Sequence, residues 1–469
     1  MKKIIILAAL ALIIQTGVFS QCLPDGITFT TQEQIDNFQT NYPGCSRIEG
    51  DVLINGDNIV NLNGLEPIFH INGDLIITRC NSLENLVGLG NLDTIMDEFN
   101  ISYNASLFDL QTLGNLKYTG YLTISTNNSL QNLLGFEGLL NVGNSVSIIQ
   151  NINLLSLAGI ENLVSVGHSL TIQSNALLEN LTGLENIISV GILDIDNNES
   201  FTSLSGLNNL STVYYSLGIS HNNSLLTIDQ IGNLTEIGGL NISYNENLNS
   251  IAGLANINKI RGFVDIVSND KLSSLYGLEN ITTIEGPLFI RGNDVLTDIS
   301  GLINVTAVDG SVRIFENNEL SSLFGLDNIN YESINDLNIY SNPHLSICEV
   351  QSICNYLGNS NGSIYIVNNA NGCNSEEEVQ IACETLGIQQ LNSTPNIFFY
   401  PNPASNEIFV TNKEKLNINE VNVYSQLGTT MLHSKGILDK IDVSTLNQGL
   451  YIIEFVTDGM KHRDKLLIE

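Results

Sequence analysis

A single asparagine recurs every 23 to 25 residues through most of this 469-residue chain: Asn104, Asn127, Asn151, Asn175, Asn198, Asn222, Asn245, Asn269, Asn293, Asn317 and Asn342. Asp57 and Cys80 take the slot before them, and Asn369 takes it after a last step of 27. Each anchors one template, apolar-x-Ile-x-x-Asn-x-x-apolar, which most copies continue as x-x-Leu-x-Gly-Leu-x-Asn-apolar. A fixed period of this length marks a solenoid, because each repeat can bury its apolar face only against its neighbours. The alternation apolar-x-Ile puts a strand in each repeat, so Leu240 and Ile242 point inward and Asn241 outward.

Where the chain turns inward after that strand, backbone groups leave the ladder and would be buried without partners. An asparagine amide, with two donors and an acceptor, can bond the backbone of its own coil and of the next. The asparagines therefore read as a structural ladder. A second series follows the Gly-Leu corner at Asn162, Asn186, Asn209, Asn233, Asn256, Asn280, Asn304 and Asn328. Many N-x-S/T matches, such as Asn104-Ala105-Ser106, fall on inward-facing rungs, and the repeat explains them better than glycosylation does. Cys80 reads as a small, unpaired buried thiol filling an asparagine slot.

Both ends need caps. Lys2 and Lys3 precede an apolar stretch from Ile4 to Ile14, and small Ser20 closes a cleavage site, so residues 1–20 read as an export signal. That stretch is too short to span a bilayer, and no later segment is apolar enough. Gln21 stands where lipid attachment at Cys22 would require a small residue, which argues against a lipoprotein. In an exported chain, grouped cysteines are disulfide staples. The N-cap, 21–50, offers a capping box from Thr31 to Gln34 and a short helix, with Cys22 expected to pair with Cys45. The C-cap, 346–390, has a second box from Ser375 to Glu378 that leads a helix to Gly387. Cys348, Cys354, Cys373 and Cys383 staple this end. Three connectivities are open, of which Cys348 with Cys373 and Cys354 with Cys383 is favoured.

Residues 22 to 390, through LTISTNNSLQNL (122–133), LTIQSNALLENLTGLENI (170–187) and LNISYNENLNSIAGLANI (240–257), resemble the leucine-rich-repeat-related receptor L domain family. The resemblance implies a right-handed single-stranded solenoid and a tendency towards recognition. Repeats this short have no room for a long helix. The expected fold is mainly β, with two or three short strands per coil about 4.8 Å apart, so that about 14 coils in 21–392 run about 65 Å.

After Leu391 the period stops. Residues 393–469 have a proline-rich start and then short strands, the pattern of a small antiparallel sandwich. Four stretches resemble the C-terminal sorting domain of the type IX secretion system: Tyr400-Pro401-Asn402-Pro403, VNVYSQLG (421–428), Leu446 to Tyr451 with Gly449, and Lys465 to Ile468. The resemblance implies a Bacteroidota-type bacterium and contact with the secretion machinery. It also implies passage across the outer membrane, and removal of this domain as the cargo is released or attached to the surface.

Residues 21–392 carry 8 Lys and Arg against 40 Asp and Glu, so nucleic acid and anionic membranes are electrostatically disfavoured partners. No nucleophile elbow, phosphate loop, zinc motif or dinucleotide fingerprint occurs. Asp194, Asp196 and Asn198 imitate the start of a calcium loop, but Glu199 stands at its turn glycine and Ser205 at its bidentate glutamate. Neither a metal nor a cofactor is expected, and no catalytic residue is assigned. β-Helix polysaccharide-degrading enzymes need clustered Asp with Lys or Arg on one face, which so few basic residues make a distant third reading.

Function is then sought on the outward positions of the strands. Small polar side chains there give way over the last coils to Phe289, Arg291, Arg313, Phe315, Tyr340 and Tyr365, the composition of a binding hot spot. These six are the candidate ligand site, for a protein or a glycan, unless the rings only cover the sheet beside the C-cap. The expectation is a secreted or surface-attached, non-enzymatic binding or adhesion protein without a transmembrane segment in its mature form. A structural coat or spacer is the alternative.

Overall fold

The computed structural model describes residues 20–468 except 360–361, 386–396, 401, 403, 413–417, 426–428, 437–439 and 458–460. Nearly all of the expected export signal lies outside the described residues. The chain divides into two compact units, Met1–Gly387 and Ile388–Glu469.

The first unit is built on one 22-stranded sheet that winds as two parallel ladders. The main ladder starts at Ile27–Phe29, Val52–Ile54 and Leu75–Thr78 and ends at Gly310–Phe315, Ile334–Tyr340 and Ile364–Val367. The other takes in short pieces such as Cys45–Ile48, His70–Ile71, Lys259–Ile260 and Thr283–Ile284. Where one strand serves both, as in Thr94–Ser102 and Thr212–Ser220, it bends with a register shift, between Ile95 and Glu98 or between Val213 and Ser216. Short 3-10 turns such as Ala252–Leu254 and Ser300–Leu302 form the remaining side.

Within the main ladder the register repeats from coil to coil: Leu217, Leu240 and Val264 are paired neighbours, as are Ile219, Ile242 and Ile266. Inward side chains therefore stack like on like. In one coil Leu240, Ile242, Leu248, Ile251, Leu254, Ile257 and Ile260 are all fully buried. The Leu-x-Gly-Leu corner needs its glycine: Gly183 has φ +116°, and a Cβ there would lie 2.4 Å from the Leu157 carbonyl oxygen.

The rungs from Asn104 to Asn342 are completely buried. Each of them, and Cys80 before them, follows a residue in the left-handed region: Arg79, Tyr103, Thr126, Gln150, Ser174, Asn197, His221, Tyr244, Ser268, Glu316 and Ser341 have φ between 51° and 57°, and Gly292 has 63°. That turn swings the next side chain inward while the left-handed residue's own N–H still reaches the following coil, as Tyr244 does to Val267 at 2.8 Å. Asp57 is a correction. It is exposed and only accepts the side-chain amide of Asn81, because the Asn55-Gly56 turn is one residue shorter than its successors. Gly56 takes the slot, its carbonyl receiving the N–H of Ile59 as that of Cys80 receives the N–H of Leu83. Cys80 itself is buried and free. The second asparagine series is exposed, and each member donates to a carbonyl of the preceding coil, as Asn162 does to Glu137 at 2.9 Å.

At the N-terminal end the reciprocal capping box of Thr31 and Gln34 opens the helix Gln32–Asp36, and Cys22 is bonded to Cys45. At the other end Cys348 joins Cys373 and Cys354 joins Cys383. The helix Glu376–Thr385 is capped by Ser375, but the Glu378 carboxylate turns back to the N–H groups of Gly372 and Asn374 instead of to its cap residue. A helix over Gln351–Asn359, invisible to the repeat pattern, carries Cys354. Its buried face, Ser352, Ile353 and Tyr356, closes the last coil.

The second unit packs a three-stranded sheet (Ile397–Tyr400, Glu407–Asn412, Lys440–Asp442) and a four-stranded one (Thr430–Lys435, Glu420–Tyr424, Gly449–Val456, Lys461–Ile468). All their pairings are antiparallel. Ile408, Val421, Val423, Val443, Ile453 and Leu466 form its core. Strand Ile397–Tyr400 lies within the proline-rich start, where no strand is expected from the sequence, because its pairing partner Glu407–Asn412 lies beyond the turn.

Candidate recognition surface

Parallel register places the outward residues of successive coils side by side. Phe289, Arg313, Asn338 and Tyr365 are aligned in one column, and Arg291, Phe315, Tyr340 and Val367 in the next. The Arg313 guanidinium lies over the Phe289 ring at 5.0 Å and that of Arg291 over Phe315 at 5.8 Å. Phe315 and Tyr340 are stacked, with centroids 4.5 Å apart and planes 10° from parallel, and Tyr340 meets Tyr365 edge to face at 5.5 Å. The six candidate residues thus form two sets of ring and cation contacts on adjoining columns over four coils, the pair Phe289–Arg313 and the run Arg291–Phe315–Tyr340–Tyr365. Tyr365 is half exposed. Burial, and then the nearby Glu316 charge, raise the Tyr340 hydroxyl pKa, so the ring stays neutral.

The left-handed residues form a third outward column that strand alternation did not reveal. In it His221 is stacked on Tyr244 at 4.8 Å, and Arg79 lies over Tyr103 at 5.4 Å. The signal was present in the template as the variable position just before each asparagine. Asp194 and Asp196 do not form a calcium loop: Asn198 is a buried rung, and Asp196 accepts from Gln173, Ser220 and the His221 ring. Among the described residues no group of three or more His, Cys, Asp or Glu is arranged to hold a metal. A hollow of 340 Å³ beside Phe108 and Gln131, and another of 290 Å³ beside Arg79 and Tyr103, lie away from the aromatic columns. Those columns offer a surface, not a pocket.

In the second unit the motif residue Asn402 behaves as a strand partner made from a side chain. Its amide donates to the Lys465 carbonyl at 2.8 Å, its oxygen accepts the Leu467 N–H at 2.8 Å, and Ala404 continues the pairing to the Leu467 carbonyl. Tyr451 donates its hydroxyl to the Asn447 carbonyl across the bend before Gly449. Tyr400 ends its strand, while Pro401 and Pro403 lie outside the described residues.

These features define a leucine-rich-repeat-like solenoid followed by a small antiparallel β unit. Residues 398–469 match the family of secretion system C-terminal sorting domains, so that unit is a type IX sorting domain and the protein is secreted or attached to the outer-membrane surface. No curated protein matches the chain. Among solved structures, the chain is similar to an internalin from Listeria monocytogenes, at 16% identity over 76% of this chain and 87% of that one, with a TM-score of 0.38. Among the described residues no helix is long and apolar enough to cross a membrane.

Proposed function

We propose that residues 21–392 are a non-enzymatic recognition module whose ligand face is the aromatic and arginine cluster of the last coils, brought to the cell exterior by residues 393–469. The side-by-side placement of the Phe289–Arg313 pair and the contact run from Arg291 through Phe315 and Tyr340 to Tyr365 supports this reading most directly. Large aromatics and arginine held rigid on an outward sheet face cost little entropy to bind and are the residue types that dominate interface energetics. The rungs, caps and disulfides hold that face flat and in register. In the full reading the export signal and the sorting domain serve delivery, and no catalytic step is involved.

The test is a glycan and protein array probed with the full-length protein, beside a variant combining Phe289→Ser, Arg291→Ser, Phe315→Ser and Tyr340→Ser. A hit lost in a variant that still melts cooperatively is the expected result. Binding that survives all four substitutions would remove the site, and silence from both proteins would favour a structural coat.

A further inference from the structure

The way the rings stack limits what they can offer a ligand. Phe315 is covered on one side by the guanidinium of Arg291, from the coil before, and on the other by Tyr340, from the coil after. Phe289 is covered by Arg313, and Tyr340 has Phe315 on one face and Tyr365 on its other side. Phe289, Phe315 and Tyr340 thus turn faces along the solenoid axis and edges outward, whereas Tyr365 meets Tyr340 edge to face, 68° from parallel, and is half exposed. A flat sugar face stacked on an open ring has no platform on Phe315. Ring edges carry the positive end of the aromatic quadrupole. A guanidinium lying against a ring keeps its planar fork of N–H donors free for an acceptor.

Those donors are not already used. Lys259 and Arg261 of this unit sit in ion pairs with Glu285 and Glu236, and Arg47 pairs with Glu49. Among the described residues no carboxylate lies within 4.0 Å of Arg291 or Arg313. Asp265, beside Phe289 in register, and Asp336 act on these two cations only at longer range. On a unit with 8 basic against 40 acidic residues, Arg291 and Arg313 sit together on one patch against rings and without an ion pair among the described residues, as Arg79 does singly over Tyr103.

We infer that this surface binds a protein segment that presents a carboxylate next to an apolar side chain, the acid to Arg291 or Arg313 and the apolar group to the ring edges. The inference rests on the recognition reading above. Charge selects the kind of partner: a polymer with an acid on every unit is repelled by the rest of the acidic solenoid, whereas one or two carboxylates among apolar residues meet the attractive patch alone. A bidentate carboxylate–guanidinium contact fits the fork geometry.

The experiment is selection of random phage-displayed peptides on the immobilised full-length protein, followed by affinity measurement with the selected peptides. Arg291→Met with Arg313→Met keeps the apolar stems over the rings and removes the charge, and circular dichroism reports whether the fold is kept. The selected peptides should carry Asp or Glu beside Leu, Ile or Phe. They should lose about tenfold or more in affinity for the methionine variant, and equally when their own acid is changed to the amide. Peptides lost by the four-serine variant but kept by the methionine variant would leave the recognition site standing and overturn the carboxylate. Peptides unaffected by either variant would overturn both. Tight binding of a polygalacturonate probe that the methionine variant loses would replace the protein segment by an acidic glycan, and a selection that yields no peptide would also overturn the inference.

Discussion

The side-chain oxygen of Asn269 accepts both the backbone N–H of Asn245, at 3.3 Å, and its side-chain amide, at 3.2 Å. Asn245 in turn gives its oxygen to the N–H of Asn222 at 3.0 Å and its amide to the Ile219 carbonyl at 2.9 Å. Each rung thus satisfies the buried backbone of the coil before it and is satisfied by the coil after. The series ends at Asn369, whose amide closes on the carbonyls of Ile339 and Cys373.

Asn245→Ala should therefore be severe. It leaves the Asn222 N–H and the Ile219 carbonyl buried without partners, each costing about 1–3 kcal/mol. Asn256→Ala, on the exposed series, removes one bond to a carbonyl that water can reach and should cost below about 1 kcal/mol. Midpoints of urea unfolding for the two variants compare them directly. Equal losses would mean that the buried ladder carries no special burden.

Cys80→Asn should raise the melting temperature, and Cys80→Ala should lower it. The thiol stands 3.6 Å from the Ile54 carbonyl, where the other rungs place an amide at about hydrogen-bond distance, and the Cys80 backbone N–H already donates to the Asn104 side-chain oxygen. An asparagine there extends the ladder by one rung. A melting temperature below that of the wild type would show that the Gly56 turn has no room for the amide.

Reduction should open the molecule from its ends. The three disulfides close the first and last coils, with partners 23, 25 and 29 residues apart, and loops of that size contribute about 3–4 kcal/mol each. Limited proteolysis with and without reductant should place the first new cuts within 22–45 and 348–383, well before the central coils. Cleavage starting near the centre would contradict this.

Asp194→Asn should stabilise the solenoid at neutral pH and not in acid. Burial, and then the charge of Asp196, raise the Asp194 carboxyl above its ordinary range, so the native state binds that proton more tightly than the unfolded chain. The corresponding stability is complete below the ordinary aspartate pKa and is lost as pH rises through the raised one. Melting temperatures of variant and wild type should differ at pH 7 and converge below about pH 4. A gain that persists in acid would point to packing instead.

Asn402→Ala should weaken the last strand's outer edge by about 1 kcal/mol. Because the terminal strand belongs to the sorting domain, the cargo should accumulate in the periplasm when secreted and cell-retained fractions are compared. Asn402→Asp, which keeps the acceptor for the Leu467 N–H, should be the milder variant. Export unchanged by either would separate the motif's role from this clamp.

The repeat, the strand direction and the ladder could be read from residues 104 to 342 alone, because a solenoid makes its distant contacts at a constant sequence interval. A buried side chain's neighbour is always one period away, so periodicity is already tertiary information. The outward columns that bring Phe289, Arg313 and Tyr365 together were legible for the same reason. Position 57 was not, since a turn one residue shorter moves the slot to Gly56 without disturbing the spacing of the strands. Nor was the helix Gln351–Asn359, whose apolar face matches nothing in the repeat. What only the tertiary structure decided is how side chains of neighbouring coils meet: that ring faces are taken up by guanidinium and ring, that His221 stacks on Tyr244, and that Asn402 reaches a strand some sixty residues further on. Sequence sets which residues share a column, but rotamers and the left-handed turn set which surfaces they leave exposed, and those depend on packing in three dimensions.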